Sequence, residues 1–280
     1  MSDVRDASAS TEASAGSNDG QFIWYELMSP DPAASKAFYD SVVGWDIETQ
    51  SSMPGGMDYR MIRRSDGGNA GGLLKLTDEM RAEGARPVWL GYLSVDDVDA
   101  TIAAVEADGG KTLMPPSDIG GVGRIAMVSD PQGAPFYIMK PTPPADQPDA
   151  ASDVFSVDQP QHIRWNELAT SDQVSAVDFY RRHFGIRQEG AMSMGEMGDY
   201  LFIYKGDTRI GAIMRKPPQL PVSLWSFYIG VDDIGRAAEA VSKGGGQIMF
   251  GPMEIPGGEF SVVASDPQGA SFGLVGPRKS

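Results

Sequence analysis

The chain is written twice. WYELMSPD at 24–31 returns as WNELATSD at 165–172, and AFYDSVVGW at 37–45 returns as DFYRRHFGI at 178–186, both 141 positions on. AGGLLK (70–75) answers IGAIMR (210–215) at an offset of 140. WLGYLSVDDV (89–98) answers WSFYIGVDDI (225–234), and SDPQGAPF (129–136) answers SDPQGASF (265–272), both at 136. The landmarks keep their order, with about five residues lost in the middle of the second copy. This constrains the fold more than local propensity does, because whatever the first copy adopts the second must adopt too. Two domains follow, at 21–141 and 161–277, and the 280-residue length suits two. The Pro-, Asp- and Ala-rich stretch 142–160 reads as the linker. Residues 1–20, rich in Ser, Ala and Asp, read as a disordered tail.

Each copy divides again. A short strand leads to Asp31-Pro32, where the aspartate can cap a helix and proline suits its first turn. Ala34, Ala37, Phe38 and Val42 follow helical spacing, and Gly44 ends the helix. Three strands are expected at about 45–50, 57–64 and 69–76. The scheme restarts with a strand from Pro87 to Val95, a helix after Asp96-Asp97, and three strands ending near Lys140. The fold class is therefore α+β, with four βαβββ modules in two tandem domains.

Composition narrows the partners. A net charge of −15 argues against nucleic acid and anionic membrane, both of which need cations. No apolar run approaches the ~18 residues of a membrane span, and the N-terminal stretch has no signal-peptide core. With no cysteine, disulfides, thiolate nucleophiles and zinc–thiolate sites are excluded. A cytoplasmic protein with a small-molecule ligand is the expectation.

The motifs DPAASKAFY (31–39) with Gly44-Trp45, VDDV (95–98) and DPQGAPF (130–136), each with its second-half counterpart, resemble the vicinal-oxygen-chelate superfamily. That superfamily includes glyoxalase I, extradiol dioxygenases, and fosfomycin and bleomycin resistance proteins. The likeness covers nearly everything outside tail and linker and is nearest to two-domain glyoxalase-like proteins, for which W-x-E-L-x-x-x-D is typical. It implies that each domain is a curved, mostly antiparallel sheet with helices outside, its modules closing a cup. It also implies that the two domains pair as an intramolecular pseudo-dimer, with a further homodimer possible.

Metal-dependent members line the cup with His, Gln and Glu. The matching positions here fall on Trp24 and Trp165, Leu90 and Ser226, and Tyr137 and Gly273, none a normal divalent-metal ligand. His162 and His183 are the only histidines, read as a strand-end residue and a packed helix residue. A divalent metal is therefore disfavoured, and no cofactor is assigned.

What the cup retains is aromatic, acidic and duplicated. Trp24, Glu26 and Met28 share one face of a strand, as do Trp165 and Glu167. Tyr92 matches Tyr228, and Tyr59 matches Tyr200. A carboxylate beside an indole is desolvated, which raises its pKa toward acid–base use, and phenols can stabilise an oxyanion. Glu26, Glu167, Tyr92 and Tyr228 are the catalytic candidates. Trp24, Trp165, Tyr59, Tyr200, Tyr137 and Met28 are the ligand-binding candidates. The competing reading makes the glutamates partners of backbone or arginine at the domain seam, and the rings core.

Glycine loops at 54–57, 119–123 and 256–259 precede strands and could close over a cup mouth. Met53, Met57, Met61 and Met114, with Met192, Met194 and Met197, accompany them as adaptable apolar surface or gap-filler. Two functions are carried forward: a metal-independent lyase or isomerase using acid–base chemistry, and a non-catalytic sequestering protein of the resistance type.

Overall fold

The computed structural model describes residues 19–51, 53, 56–143 and 150–279. Most of the expected tail, the centre of the linker, and Pro54 and Gly55 lie outside the described residues. The first half runs β1 (Phe22–Ser29), α1 (Pro32–Val43), β2 (Asp46–Ile47), β3 (Tyr59–Arg63), β4 (Asn69–Lys75), α2 (Asp78–Ala82) and β5 (Val88–Ser94). It continues through α3 (Val98–Ala107), β6 (Lys111–Ile119), β7 (Gly123–Ser129) and β8 (Pro135–Pro141). The second half repeats this as β9 (Ile163–Thr170), α4 (Gln173–Phe184), β10 (Arg187–Ser193), β11 (Asp199–Lys205) and β12 (Thr208–Arg215). It ends with β13 (Leu224–Gly230), α5 (Ile234–Lys243), β14 (Gln247–Glu254), β15 (Phe260–Ser265) and β16 (Ser271–Gly276).

Capping residues place the helices. Asp31 accepts from the Ala33 and Ala34 amides, and Gly44 closes α1 at φ 83°. Asp97, Asp172 and Asp233 cap α3, α4 and α5 in the same way. The second aspartate of each V-D-D motif is thus a helix cap. Two elements depart from expectation. The strand expected at 45–50 keeps only Asp46–Ile47. The five-residue helix α2, capped by Thr77, is too short to leave a periodic signal.

Each half forms one eight-stranded sheet, ordered β2-β3-β4-β1-β5-β8-β7-β6 and β10-β11-β12-β9-β13-β16-β15-β14. The central strands of the two modules pair antiparallel, β1 with β5 and β9 with β13. The flanking pairs β1–β4 and β5–β8 are parallel, as are β9–β12 and β13–β16. One face of each sheet carries Tyr25, Leu27, Leu168, Phe227 and their neighbours, which join the helices of both halves in a single core. The opposite face, bearing Trp24 and Glu26 or Trp165 and Glu167, is the cup face.

Reciprocal contacts hold the halves together. Tyr39 on α1 receives a hydrogen bond from Trp89 Nε1 at 2.9 Å and donates to Asp266 across the seam at 3.1 Å. Tyr180 on α4 receives one from Trp225 Nε1 at 2.9 Å and donates to Asp130 at 3.3 Å. Each aspartate also accepts the amides of its own D-P-Q-G turn, Asp130 from Gln132 and Ala134, Asp266 from Gln268 and Ala270. The duplicated S-D-P-Q-G and F-Y motifs therefore serve the seam rather than the cup. Linker residues 150–160 are tied down as well. Val154 is buried, and Asp153 pairs with buried Arg64, a docking that composition alone did not signal.

Candidate functional site

Cross-strand register fixes what stands on each cup face, since directly opposed residues project to the same side. In the first cup, one row reads Trp24, Tyr92, Tyr137, Met127, Met114, with Asn69, paired to Arg63, on the same face beside the β4 register shift. The next centres on Glu26, flanked by Gly72 and Leu90. In the second cup these rows become Trp165, Tyr228, Gly273, Val263, Phe250, and Glu167 flanked by Ala212 and Ser226, with Arg209, paired to Tyr204, on the same face beside the β12 register shift. Register thus sets Tyr92, rather than Leu90, directly across from Trp24.

The floors share one wiring. Trp24 Nε1 donates to Tyr59 Oη at 2.7 Å, and Trp165 Nε1 donates to Tyr200 Oη at 2.7 Å. Tyr92 donates to Glu26 Oε2 at 2.8 Å. Glu167 accepts twice, from Tyr200 at Oε2 (2.5 Å) and from Tyr228 at Oε1 (3.2 Å). The glutamates therefore bind phenols inside the cups, not backbone or arginine at the seam. Burial pushes the Glu26 carboxyl up to about 7, against the lowering effect of Tyr92, Tyr59 and Tyr137. Its Oε1 receives no well-aligned hydrogen bond among the described residues, although those phenols lie close enough to moderate the shift. Burial also raises Glu167, opposed by its bonds from Tyr200 and Tyr228. Desolvation and the adjacent carboxylates hold Tyr59, Tyr92, Tyr200 and Tyr228 well above the usual phenol range, so all four stay donors.

The cups differ in access. Met28, Leu74, Leu90, Tyr92, Ile125, Tyr137 and Met139 are buried against one another, so the first cup is filled by its own side chains. Tyr92 stacks on Tyr137 with centroids 4.2 Å apart. Leu76, Met80 and Ala85, in and around α2, pack over this cluster, and Glu26 is only 2% exposed. In the second half Ala169 replaces Met28, Ser226 replaces Leu90 and Gly273 replaces Tyr137. The offset between copies falls from 140 to 136 across the α2 segment, so the second half is four residues shorter there and forms no helix. Trp24 and Tyr59 are half-buried like Trp165 and Tyr200, but Glu167 and Tyr228 keep exposed surface where Glu26 and Tyr92 are buried. Phe250 is 54% exposed and Met253 46%, and both project from β14 on this face.

Every catalytic and ligand-binding candidate stands on a cup face, six in the sealed cup (Trp24, Glu26, Met28, Tyr59, Tyr92, Tyr137) and four in the open one (Trp165, Glu167, Tyr200, Tyr228). Sequence reading missed Arg209, Phe202 and Phe250. The signal for Arg209 was present as the Asn69/Arg209 mismatch beside the matched A-G-G/I-G-A frames. His162 is buried at a strand end with Nδ1 2.9 Å from the Pro160 carbonyl, and His183 packs on Phe179 with Nε2 2.9 Å from Asp108. Neither reaches a cup floor. Two cavities, of about 610 and 160 Å³, are lined by Pro30, Arg81, Arg86 and Gln268, and by Phe22, Asn166 and Lys205, with no floor residue in either.

Comparison with known proteins settles the family. The family model described as the Glyoxalase/Bleomycin resistance protein/Dioxygenase superfamily matches residues 21–138 and again 159–274. The chain belongs to this superfamily. It is 33% identical over 256 residues to "Putative glyoxylase CFP32" of Mycobacterium tuberculosis, covering 91% of this chain and 94% of that protein. It is 28% identical over 267 residues to the anthracycline biosynthesis protein DnrV of Streptomyces peucetius, covering 91% and 93%. Among solved structures, the Mn(II)-bound glyoxalase from Novosphingobium aromaticivorans matches at TM-score 0.60 and 18% identity, covering 93% of this chain and 83% of that one. Homoprotocatechuate 2,3-dioxygenase from B. fuscum matches at TM-score 0.61 and 17% identity, covering 93% and 72%. These two share the superfamily fold. Metal-dependent superfamily members need several convergent imidazole or carboxylate donors. Each cup floor here offers one carboxylate with phenols and an indole, and among the described residues no three His, Asp or Glu side chains gather. The donor set does not fit a divalent metal. Among the described residues, no helix is long and apolar enough to cross a membrane.

Proposed function

We propose that the second cup binds a small oxygenated organic molecule and that Glu167 acts on it as an acid–base group. The observation that carries this is the contrast between the two carboxylates. Both are desolvated and bonded to phenols, but Glu26 is sealed under Tyr137, Leu90 and α2, whereas Glu167 opens onto the cup. A carboxyl whose pKa burial raises above its ordinary value is a stronger base once ionised, suited to taking a proton and returning it.

The geometry suits proton abstraction next to a carbonyl. Glu167 would take the proton from carbon, and the electron pair would move onto the carbonyl oxygen. Tyr228, whose bond to Glu167 is the longer of the two at 3.2 Å, can turn its O–H toward that oxygen. The proton then returns to the neighbouring atom, giving an isomer, or a leaving group departs, giving a lyase product. The relatives' names support this reading from two sides, one a "Putative glyoxylase" and the other an "Anthracycline biosynthesis protein". The test is proton exchange. Hydroxyketones and hydroxyquinones are incubated with the protein in D2O, and deuterium entry is followed by NMR. Protein-dependent exchange that disappears in Glu167→Gln supports the reading. Saturable binding with no exchange across the panel points instead to sequestration.

A further inference from the structure

We propose that Arg209 is an anion-binding residue of the second cup, so that the ligand is an organic anion with a flat apolar body. The inference rests on the reading of that cup as the ligand site. Arg209 pairs with Tyr204 and projects to the same sheet face as Phe202 and Glu167, the cup face that also carries Trp165, Tyr228 and Gly273. Its guanidinium lies 4.6 Å from the centroid of Phe202, a ring that meets Trp165 edge-on. Nε donates to Tyr204 Oη at 2.8 Å, which fixes the plane of the group. The two Nη nitrogens form no hydrogen bond or ion pair among the described residues. A guanidinium held by Nε and one face presents its Nη edge as a fork for two oxygens of a carboxylate or sulfonate.

The comparison between the copies adds an independent argument. The first cup has Asn69 at this position, where it accepts a hydrogen bond from Arg63. The cation thus occurs in the half where Tyr137 has become Gly273 and Leu90 has become Ser226. Arg187, which pairs with Tyr204 from the other side, is already committed to Glu189 and the Gly206 carbonyl. From β12, which carries Arg209, to β16, which carries Gly273, the cup face crosses three strand spacings, about 14 Å. That length holds two or three fused rings, with the anionic group at Arg209 and the apolar end toward Val263 and Phe250.

A matched pair of dyes tests this. 8-Anilinonaphthalene-1-sulfonate and N-phenyl-1-naphthylamine share a ring body and differ in the sulfonate. Binding is measured by dye fluorescence for wild type, Arg209→Gln, Arg209→Lys and Gly273→Tyr, with circular dichroism confirming the fold of each. Arg209→Gln is expected to weaken the sulfonate dye about five- to tenfold and to leave the neutral dye within about twofold. Arg209→Lys should recover part of the loss, and Gly273→Tyr should abolish binding of both. Equal weakening of both dyes by Arg209→Gln overturns the proposal, since Arg209 then only buttresses Phe202. So does no change in either dye. Failure of wild type to bind either dye, or binding untouched by Gly273→Tyr, overturns both this proposal and the ligand-site reading beneath it.

Discussion

Gly273→Ala is the sharpest small perturbation of the second cup. A Cβ built on Gly273 would lie 2.3 Å from Tyr228 Cδ1 and 2.4 Å from its Cγ. Real side chains do not approach so closely, and a packed ring cannot yield like the end of a flexible chain. Gly273 does not have a left-handed backbone conformation, so the substitution carries no backbone penalty of its own. The ring must lift, and the Tyr228 bond to Glu167 Oε1 goes with it. Overpacking of this kind costs about 1–3 kcal/mol, and a hydrogen bond to a buried carboxylate is worth a similar amount. Losing a bond that lowers the Glu167 pKa raises it further, by about one pKa unit for each 1.4 kcal/mol of lost preference for the charged form. The assay pairs urea unfolding with titration of Glu167 by carbon-13 NMR, using Tyr228→Phe as the partner variant. Gly273→Ala should be destabilised and Glu167 should titrate higher. Tyr228→Phe should raise the Glu167 pKa without the packing cost, and the two shifts should not add in the double variant. A Gly273→Ala protein with unchanged stability and an unchanged Glu167 titration refutes the reasoning.

Other outcomes follow from the same contacts. Because the Glu26 pKa is raised from 4.5 to about 7, the folded state holds its proton more tightly than the unfolded chain. That stability is fully present below about pH 4.5 and is lost as pH rises toward 7, to the extent of about 3 kcal/mol. Glu26→Gln should therefore flatten the fall in urea stability between pH 5 and 8, leaving a residual slope of the same sign from Glu167; an unchanged slope contradicts the buried-carboxylate account. At the seam, Tyr39→Phe and Tyr180→Phe should each cost about 1–3 kcal/mol, because each strands a buried indole N–H and a mostly buried carboxylate. Closely similar losses in thermal unfolding are expected from the reciprocal wiring, and a large loss in only one contradicts it. Replacing Met28, Leu90 and Tyr137 by Ala, Ser and Gly should admit the neutral naphthylamine dye to the first cup only when α2 is also shortened; binding with α2 intact shows that α2 is no cover.

The fold was legible in sequence because duplication supplies two readings of every element. Caps such as Asp31 and Asp233 and stops such as Gly44 and Gly185 then locate the helices in both copies. Parity made the Trp and Glu of the W-x-E-L frame legible as neighbours on one strand face, and the superfamily resemblance supplied the cup that face lines. The roles of Tyr39, Asp130, Tyr180 and Asp266 were not, because each pair joins residues 50 or 227 positions apart and no local pattern encodes that pairing. Nor was the difference in access. It arises from several modest changes, Met28 to Ala169, Leu90 to Ser226, Tyr137 to Gly273 and four residues removed at α2, which act together only once register brings them to one face.

The central claim is that the second cup works on a ligand while the first, with the same wiring, is sealed. Deuterium exchange into a hydroxyketone turned over by the wild type, run side by side on Glu26→Gln and Glu167→Gln, tests it most directly. The account predicts that Glu167→Gln removes exchange and Glu26→Gln leaves it near the wild-type rate. Exchange that survives Glu167→Gln, or is lost in Glu26→Gln while the protein stays folded, contradicts it.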